Sequence, residues 1–160
     1  MQVGVDAYAS IAEVSAYLSA RGLDTAWDAA TQVKQEAAII EASSFLDASF
    51  TWTGRLLDPS QKLGWPRYEA YDGEDRPLEG IPSQVKDACA ELANLALGGR
   101  LMPMAIASGS TGIKRERIGD VEIEYDNATT AASYGYVQLM LRGLGGMRST
   151  NAGNMKLIRA

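Results

Sequence analysis

The run Ile81 to Gly99, IPSQVKDACAELANLALGG, constrains the rest of the chain most, because both ends of a buried helix are written into it. Pro82 suits a first helical turn, where its missing N–H would be unpaired anyway. Gly98 and Gly99 supply the residue type that takes positive φ and stops a helix. Between them Val85, Ala88, Leu92 and Leu95 or Ala96 recur at helical spacing, with Lys86, Asp87 and Glu91 on the other side. Cys89, Ala93 and Ala96 are small enough to let neighbouring helices approach closely. The run is expected to be the central strut of an α-helical core.

Other segments supply helices to pack on that strut. Ser10-Ile11-Ala12-Glu13 has the pattern of a capping box, followed by an apolar stripe of Ile11, Val14, Tyr17 and Leu18 and a stop at Gly22. Asp24 is placed to cap a short turn carrying Trp27. Thr31 opens a long helix over about 32–48, whose buried face is read as Ala37, Ile40, Ser44 or Phe45 and Ala48, widened by Ile39 and Leu46. Each stripe needs another element to cover it. Phe50 to Pro66 is expected to be irregular, with Asp58-Pro59-Ser60-Gln61 as a capped helical turn and the tryptophans as anchors. Trp65-Pro66 is expected to be extended, because proline disfavours helix in the residue before it. Glu69 to Gly80 is acidic and rich in Gly and Pro, as in a solvated surface loop. It lacks the alternating ligand pattern of a calcium loop.

After the central helix, 100–112, with Met102, Pro103 and Met104 and then Ala-Ser-Gly-Ser-Thr-Gly, reads as a small, flexible linker. A hairpin is expected at about 113–125, with Gly119-Asp120 at its turn. If Ile118 pairs with Val121, Arg117 faces Glu122 and Arg115 faces Glu124, so opposite charges meet across the strands. A two-stranded ribbon is marginal alone and needs the helices or another copy to lean on. Tyr136, Leu139, Met140 and Leu144 suggest a last amphipathic helix, stopped by Gly145-Gly146. Beyond it Met155, Leu157 and Ile158 stand beside Lys156 and Arg159 with no helical period, as in a frayed terminus or an arm that orders on a partner. The expected fold is therefore mainly α, a bundle of about four to five helices with a β-hairpin. A domain over 1–144 would carry an extended C-terminal arm over 145–160.

Composition narrows the chemistry. The 160 residues include no histidine and one cysteine, Cys89, which removes the commonest general base, the commonest transition-metal ligand and any internal disulfide. No nucleophile stands beside a base, and no glycine-rich loop follows a strand in a phosphate-cradling pattern. The chain is expected not to be an enzyme and to need no cofactor or metal. No apolar run is long enough to span a bilayer, and the N-terminus has no signal pattern. The 15 basic and 20 acidic residues are unevenly placed: from Gln138 onward there are four cations, Arg142, Arg148, Lys156 and Arg159, and no acid. An acidic body with a basic tail argues against wrapping nucleic acid and for a tail that docks on something acidic. Trp65-Pro66-Arg67-Tyr68 has the makings of a stacking platform for single strands, but the acidic loop that follows favours Trp65 as a core anchor.

An ordered set of words carries a resemblance. Ala16-Tyr17-Leu18 comes first, with Arg21-Gly22 and Trp27. The run Lys34 to Ser43 follows, with Phe45-Leu46-Asp47, then Thr53-Gly54-Arg55. Gln61, Leu63-Gly64-Trp65-Pro66-Arg67 and Ile81-Pro82 with Val85 to Ala88 and Glu91 to Ala93 come next. Lys114 to Glu116, Ile118-Gly119 and Val121 to Tyr125 complete it. Over about 10–125 the chain resembles small proteins of tailed bacteriophages and prophages that form the head–tail connector, or adaptor, ring of the neck. This group is often described as DnaT-like single-stranded DNA-binding. The resemblance implies a helical bundle with a β-element, assembled as a homo-oligomeric ring, commonly of twelve copies, beneath the portal protein. It implies tail or tail-completion proteins as further partners, DNA passing through the lumen without sequence-specific binding, and a location in the virion neck. Interface roles would fall to Arg115, Arg117, Glu122 and Glu124 of the ribbon, and to Arg142, Arg148, Met155, Lys156, Leu157, Ile158 and Arg159 of the C-terminal part. Trp27, Trp52, Trp65, Pro66 and Arg67 would be structural anchors. The alternative is a DnaT-like replication accessory that binds single-stranded DNA.

Overall fold

The computed structural model describes residues 1–101, 115–118, 121–124 and 135–147. Helix α1 spans Ile11–Ser19, α2 Thr25–Asp28, α3 Gln32–Ser49 and α4 Ser83–Ala96. A fifth, short helix, α5, covers 135–140. Three two-stranded antiparallel pairs join them: β1 (Phe50–Trp52) with β6 (Gly145–Met147), β2 (Arg55–Leu56) with β3 (Arg67–Tyr68), and β4 (Arg115–Ile118) with β5 (Val121–Glu124). The fold is mainly α with a β-hairpin, and α4 packs against both α3 and α1.

The helix ends follow the sequence closely. Ser10 caps α1 through the Glu13 N–H at 3.2 Å, while the Glu13 carboxylate accepts from the Ser10 N–H at 2.7 Å, a reciprocal capping box. Gly22, at φ +67°, takes the left-handed turn after α1 that a side chain would resist. Pro82 stands one place outside the first turn of α4, as its N-cap residue. Thr31 and Asp24 occupy the N-cap positions of α3 and α2 without side-chain capping bonds, and the Asp24 carboxylate accepts instead from Ser19 Oγ at 2.8 Å.

Val85, Ala88, Cys89, Leu92 and Ala93 of α4 meet Val14, Tyr17 and Leu18 of α1 and the buried side of α3 in one core. Leu95 of α4 is exposed, so Ala96 continues the packed stripe. The close contact of α3 and α4 is made by small residues. Ser43 Oγ lies 3.5 Å from Cys89 Sγ and donates to the Ile39 carbonyl at 2.8 Å. Burial pushes the Cys89 thiol up to about 11, so it stays protonated and behaves as a small core residue.

Several expectations are corrected. The buried side of α3 is Ala38, Ile39, Ala42, Ser43, Phe45, Leu46 and Ser49, whereas Ala37, Ile40, Ser44 and Ala48 face outward. Alanine and serine lie nearly all round this helix, so spacing alone does not choose a face. The choice falls to bulk, because Ile39, Phe45 and Leu46 bury far more apolar area together than Ile40 does alone. In the C-terminal part Val137, Leu141 and Leu144 are buried, while Tyr136 and Leu139 are exposed. The stretch read as irregular contains β1 and β2, and Asp58 to Gln61 is a turn closed by Gln61 N–H to the Asp58 carbonyl at 3.1 Å, not a helical one. Gly145 to Met147, read as the start of an arm, pair instead with β1, in the register Phe50↔Met147, Thr51↔Gly146 and Trp52↔Gly145. Leu101, placed in a linker, is buried. The expected hairpin has the expected backbone register, Arg115↔Glu124 through Ile118↔Val121.

The α1 cap predicts a pH dependence. Glu13 accepts from Lys86 Nζ at 2.6 Å and from Ser10, and these bonds hold its carboxyl at about 2, against an ordinary 4.5. A depressed carboxyl stabilises the fold fully above its unfolded value and loses that contribution as pH falls toward the folded one. Urea midpoints of the wild type and Glu13→Gln are therefore expected to differ at pH 6 and to converge as pH falls from about 4.5 to 2. A gap that stays constant over that range would contradict the assignment.

Candidate functional site: Asp47 and the Trp-Pro-Arg element

Asp47 lies near the C-terminal end of α3, between the N-terminal segment and the loop that precedes β3. Its carboxylate accepts from Tyr8 Oη, from Trp52 Nε1 at 3.1 Å and from the Gly64 N–H at 3.0 Å. Burial first, and then the Asp47 charge, raise the Tyr8 hydroxyl well above its ordinary value, so it stays a donor. Tyr8 is tied down a second time by its backbone N–H, which donates to Ser43 Oγ at 3.1 Å. Gly64 must be glycine here. A Cβ would come within 2.5 Å of both Asp47 Oδ1 and Trp52 Nε1.

The Trp-Pro-Arg element is built around this carboxylate. Trp65 is wholly buried, its ring 6.0 Å from Trp52 in an edge-on arrangement, and Trp52 in turn stacks on Phe50 at 5.5 Å. Trp65 Nε1 has no hydrogen-bond partner among the described residues, so packing alone holds the indole. The Trp65–Pro66 peptide is cis. Arg67 spends its guanidinium on main chain. Nε donates to the Thr53 carbonyl at 2.6 Å, Nη1 to Gly64 at 2.9 Å and Nη2 to Gly54 at 2.8 Å. A planar fork of five donors suits three fixed carbonyls in a way a lysine does not. Gln61 adds bonds to the carbonyls of Leu63, at 2.7 Å, and Pro66, at 3.0 Å. A cleft of about 340 Å³ remains beside them, lined in part by Thr51, Trp52, Gln61 and Leu63.

Trp27 is also wholly buried, and its Nε1 donates to Ser15 Oγ at 2.9 Å. Of the residues expected as anchors, Trp27 and Trp65 are wholly buried, Trp52 and Pro66 are partly buried and Arg67 is bonded to main chain, while Tyr68 is 42% exposed. Arg142 is exposed in the turn after α5. Arg115, Arg117, Glu122 and Glu124 lie on paired strands with only their backbone register described. Arg148, Met155, Lys156, Leu157, Ile158 and Arg159 lie outside the described residues. Sequence reasoning named neither Asp47 nor Tyr8 as a key residue. The signals available for Asp47 were a lone carboxylate beside the apolar pair Phe45-Leu46 and its place in the words that carry the resemblance.

The charges of the body are largely committed. Residues 1–101 hold 15 acids and eight cations. Lys62 pairs with Asp6 at 3.1 Å, Arg55 with Glu69 at 3.4 Å, Arg76 with Asp72 at 2.8 Å and Lys86 with Glu13 at 2.6 Å. Arg21 covers the Tyr17 ring at 3.5 Å. With Arg67 on carbonyls, the body offers phosphate groups few free cations and a net negative field. Among the described residues no cluster of His, Cys, Asp and Glu could hold a metal ion, and no helix is long and apolar enough to cross a membrane.

Trp65→Ala is expected to lower unfolding free energy by about 3–5 kcal/mol, through lost transfer energy and the cavity left behind. Arg67→Lys is expected to cost about 2 kcal/mol, because charge-assisted bonds to two of the three carbonyls are lost. Denaturant titration checks both. A Trp65→Ala protein as stable as the wild type would contradict the anchor role.

Comparison with known proteins adds family membership. Neither a curated protein nor a solved structure matches the chain. The model of one family, described as "Putative DnaT-like ssDNA binding protein", matches residues 1–160. The match covers the helical core, the Trp-Pro-Arg element and the hairpin alike, and on that ground the chain belongs to the DnaT-like family.

Proposed function

We propose that the protein is a structural subunit of the head–tail connector ring at the neck of tailed bacteriophages or prophages, binding copies of itself, the portal and tail-completion proteins. The observation that carries this reading is the inward use of the Trp-Pro-Arg element. Trp65 is buried, and Arg67 is spent on the carbonyls of Thr53, Gly54 and Gly64. What would be the contact surface of a single-strand binder is framework instead. The acidic body suits a channel wall past which DNA slides without sticking, and a closed ring needs the head-to-tail contacts of a chain that is completed by its neighbours.

The family description favours a second reading, binding of single-stranded DNA. On that reading the contacts would come from the cations of the hairpin and the C-terminal part, since the aromatic side chains at 52 and 65 are packed. The two readings part in solution. The connector reading expects the full chain to form multimers, alone or on portal, and to bind a 20-nucleotide single strand more weakly than about 10⁻⁴ M at physiological salt. Micromolar or tighter binding that weakens steeply with salt supports the DNA reading, and a chain that stays monomeric with and without portal overturns the connector one. Mass measurement and fluorescence anisotropy across a salt series provide both readouts.

A further inference from the structure

The outward side of α3 is an apolar row with no covering element among the described residues. Val33, Ala37, Ile40, Ser44 and Ala48 succeed one another at spacings of three and four, which aligns them along one side of the helix. Val33 is 77% exposed and Ile40 39%. Across from the row stands Val5 of the N-terminal segment, also exposed. Between that segment and α3 runs a groove of about 380 Å³, whose lining includes Val5, Ile40, Ser44 and Leu63, with Asp6 and Asp47 at hand. Lys62, which also lines it, is neutralised by Asp6. Glu41 stands on the next position of the helix. The groove is thus apolar along its floor, and its rim, with Asp6 and Asp47 against Lys62, carries a small net negative charge.

The chain itself contains a segment with the complementary pattern. The 13 residues after Met147, RSTNAGNMKLIRA, carry Arg148, Lys156 and Arg159, no acid, and the apolar set Met155, Leu157 and Ile158. Asn151, Gly153 and Asn154 are poor helix formers, so the segment suits an extended ligand. Its point of departure is fixed, because Met147 pairs with Phe50, the residue that follows α3. Extended chain advances about 3.3–3.6 Å per residue, which carries 155–158 some 26–40 Å from Met147. At about 1.5 Å per residue, Ile40 lies only about 14 Å from the end of α3 and Val33 about 24 Å. A fully extended segment is thus long enough to pass the row of its own chain and reach a neighbour's.

We propose that the outward row of α3 is the docking site for the C-terminal segment 148–160 of a second copy. Met155, Leu157 and Ile158 lie against Ile40 and its neighbours, and the flanking cations face the net negative charge of the rim. The proposal rests on the connector reading and gives that assembly one of its contacts.

Disulfide trapping between full-length chains tests it. Differently tagged Ser44→Cys and Leu157→Cys proteins, mixed and mildly oxidised, are expected to give a heterodimer, and Ile40→Glu in the first chain is expected to cut its yield about tenfold. Cys89 is buried and does not compete. Two results overturn the proposal. One is a Ser44→Cys/Leu157→Cys double variant that closes its bond within a single chain, running as a monomer. The other is the absence of any heterodimer while the wild type still multimerises, alone or on portal, which leaves the connector reading standing. A wild type that is monomeric under all conditions removes the reading on which the proposal rests.

Discussion

One carboxylate holds the non-helical half of the body to the helical half. Asp47 accepts from Tyr8, Trp52 and Gly64, so it joins the N-terminal segment, the strand after α3 and the loop before the proline at a single point. A half-buried charge is costly unless its lone pairs are filled, and three donors fill them. Loss of any one donor leaves the others bonded to a poorly compensated ion. The positions of Trp65 and Arg67 depend on this point, because Gly64 is both a donor to Asp47 and an acceptor from Arg67. The element that looks most like a ligand-binding motif is therefore the one whose side chains have the least freedom to bind anything.

This arrangement bears on how the family description is understood. A family can carry a shared scaffold without a shared surface. In this chain the aromatic rings that a single strand would stack on are packed into one another, Phe50 on Trp52 and Trp52 against Trp65. The cations of the body are mostly paired or held against main chain and rings. Exposed apolar side chains include Val33 and Ile40 on the outside of α3 and Val3 and Val5 of the N-terminal segment, with others such as Leu57 and Leu139 elsewhere. Such a surface fits protein contacts better than phosphate contacts.

What could be read from the sequence was what is encoded locally. The Ser10–Glu13 capping box, the left-handed Gly22 and the limits of α4 each depend on residues within one or two turns, and each was legible. The hairpin register was legible because turn position and charge pairing gave the same answer. The buried side of α3 was not, since alanine and serine surround the helix and only the partner decides which row is covered. Asp47 was not either, because its donors lie 39 residues before it and up to 17 after. Strand β6 left no trace at all. Gly145-Gly146 resembles a helix stop, and nothing nearby indicates that Phe50 to Trp52 wait for it.

That last pairing has a consequence for how the molecule comes into being. Thr53 takes the Leu144 carbonyl with both its amide and its hydroxyl, across 91 residues of chain. Closing so large a loop costs entropy before any contact repays it. During synthesis α1, α3 and α4 can associate as soon as they emerge, but Phe50 to Trp52 keep an open edge until Gly145 to Met147 have been translated. A chain that stops short of Gly145 thus displays a bare strand beside the tryptophan cluster, and one that extends past Met147 has it covered.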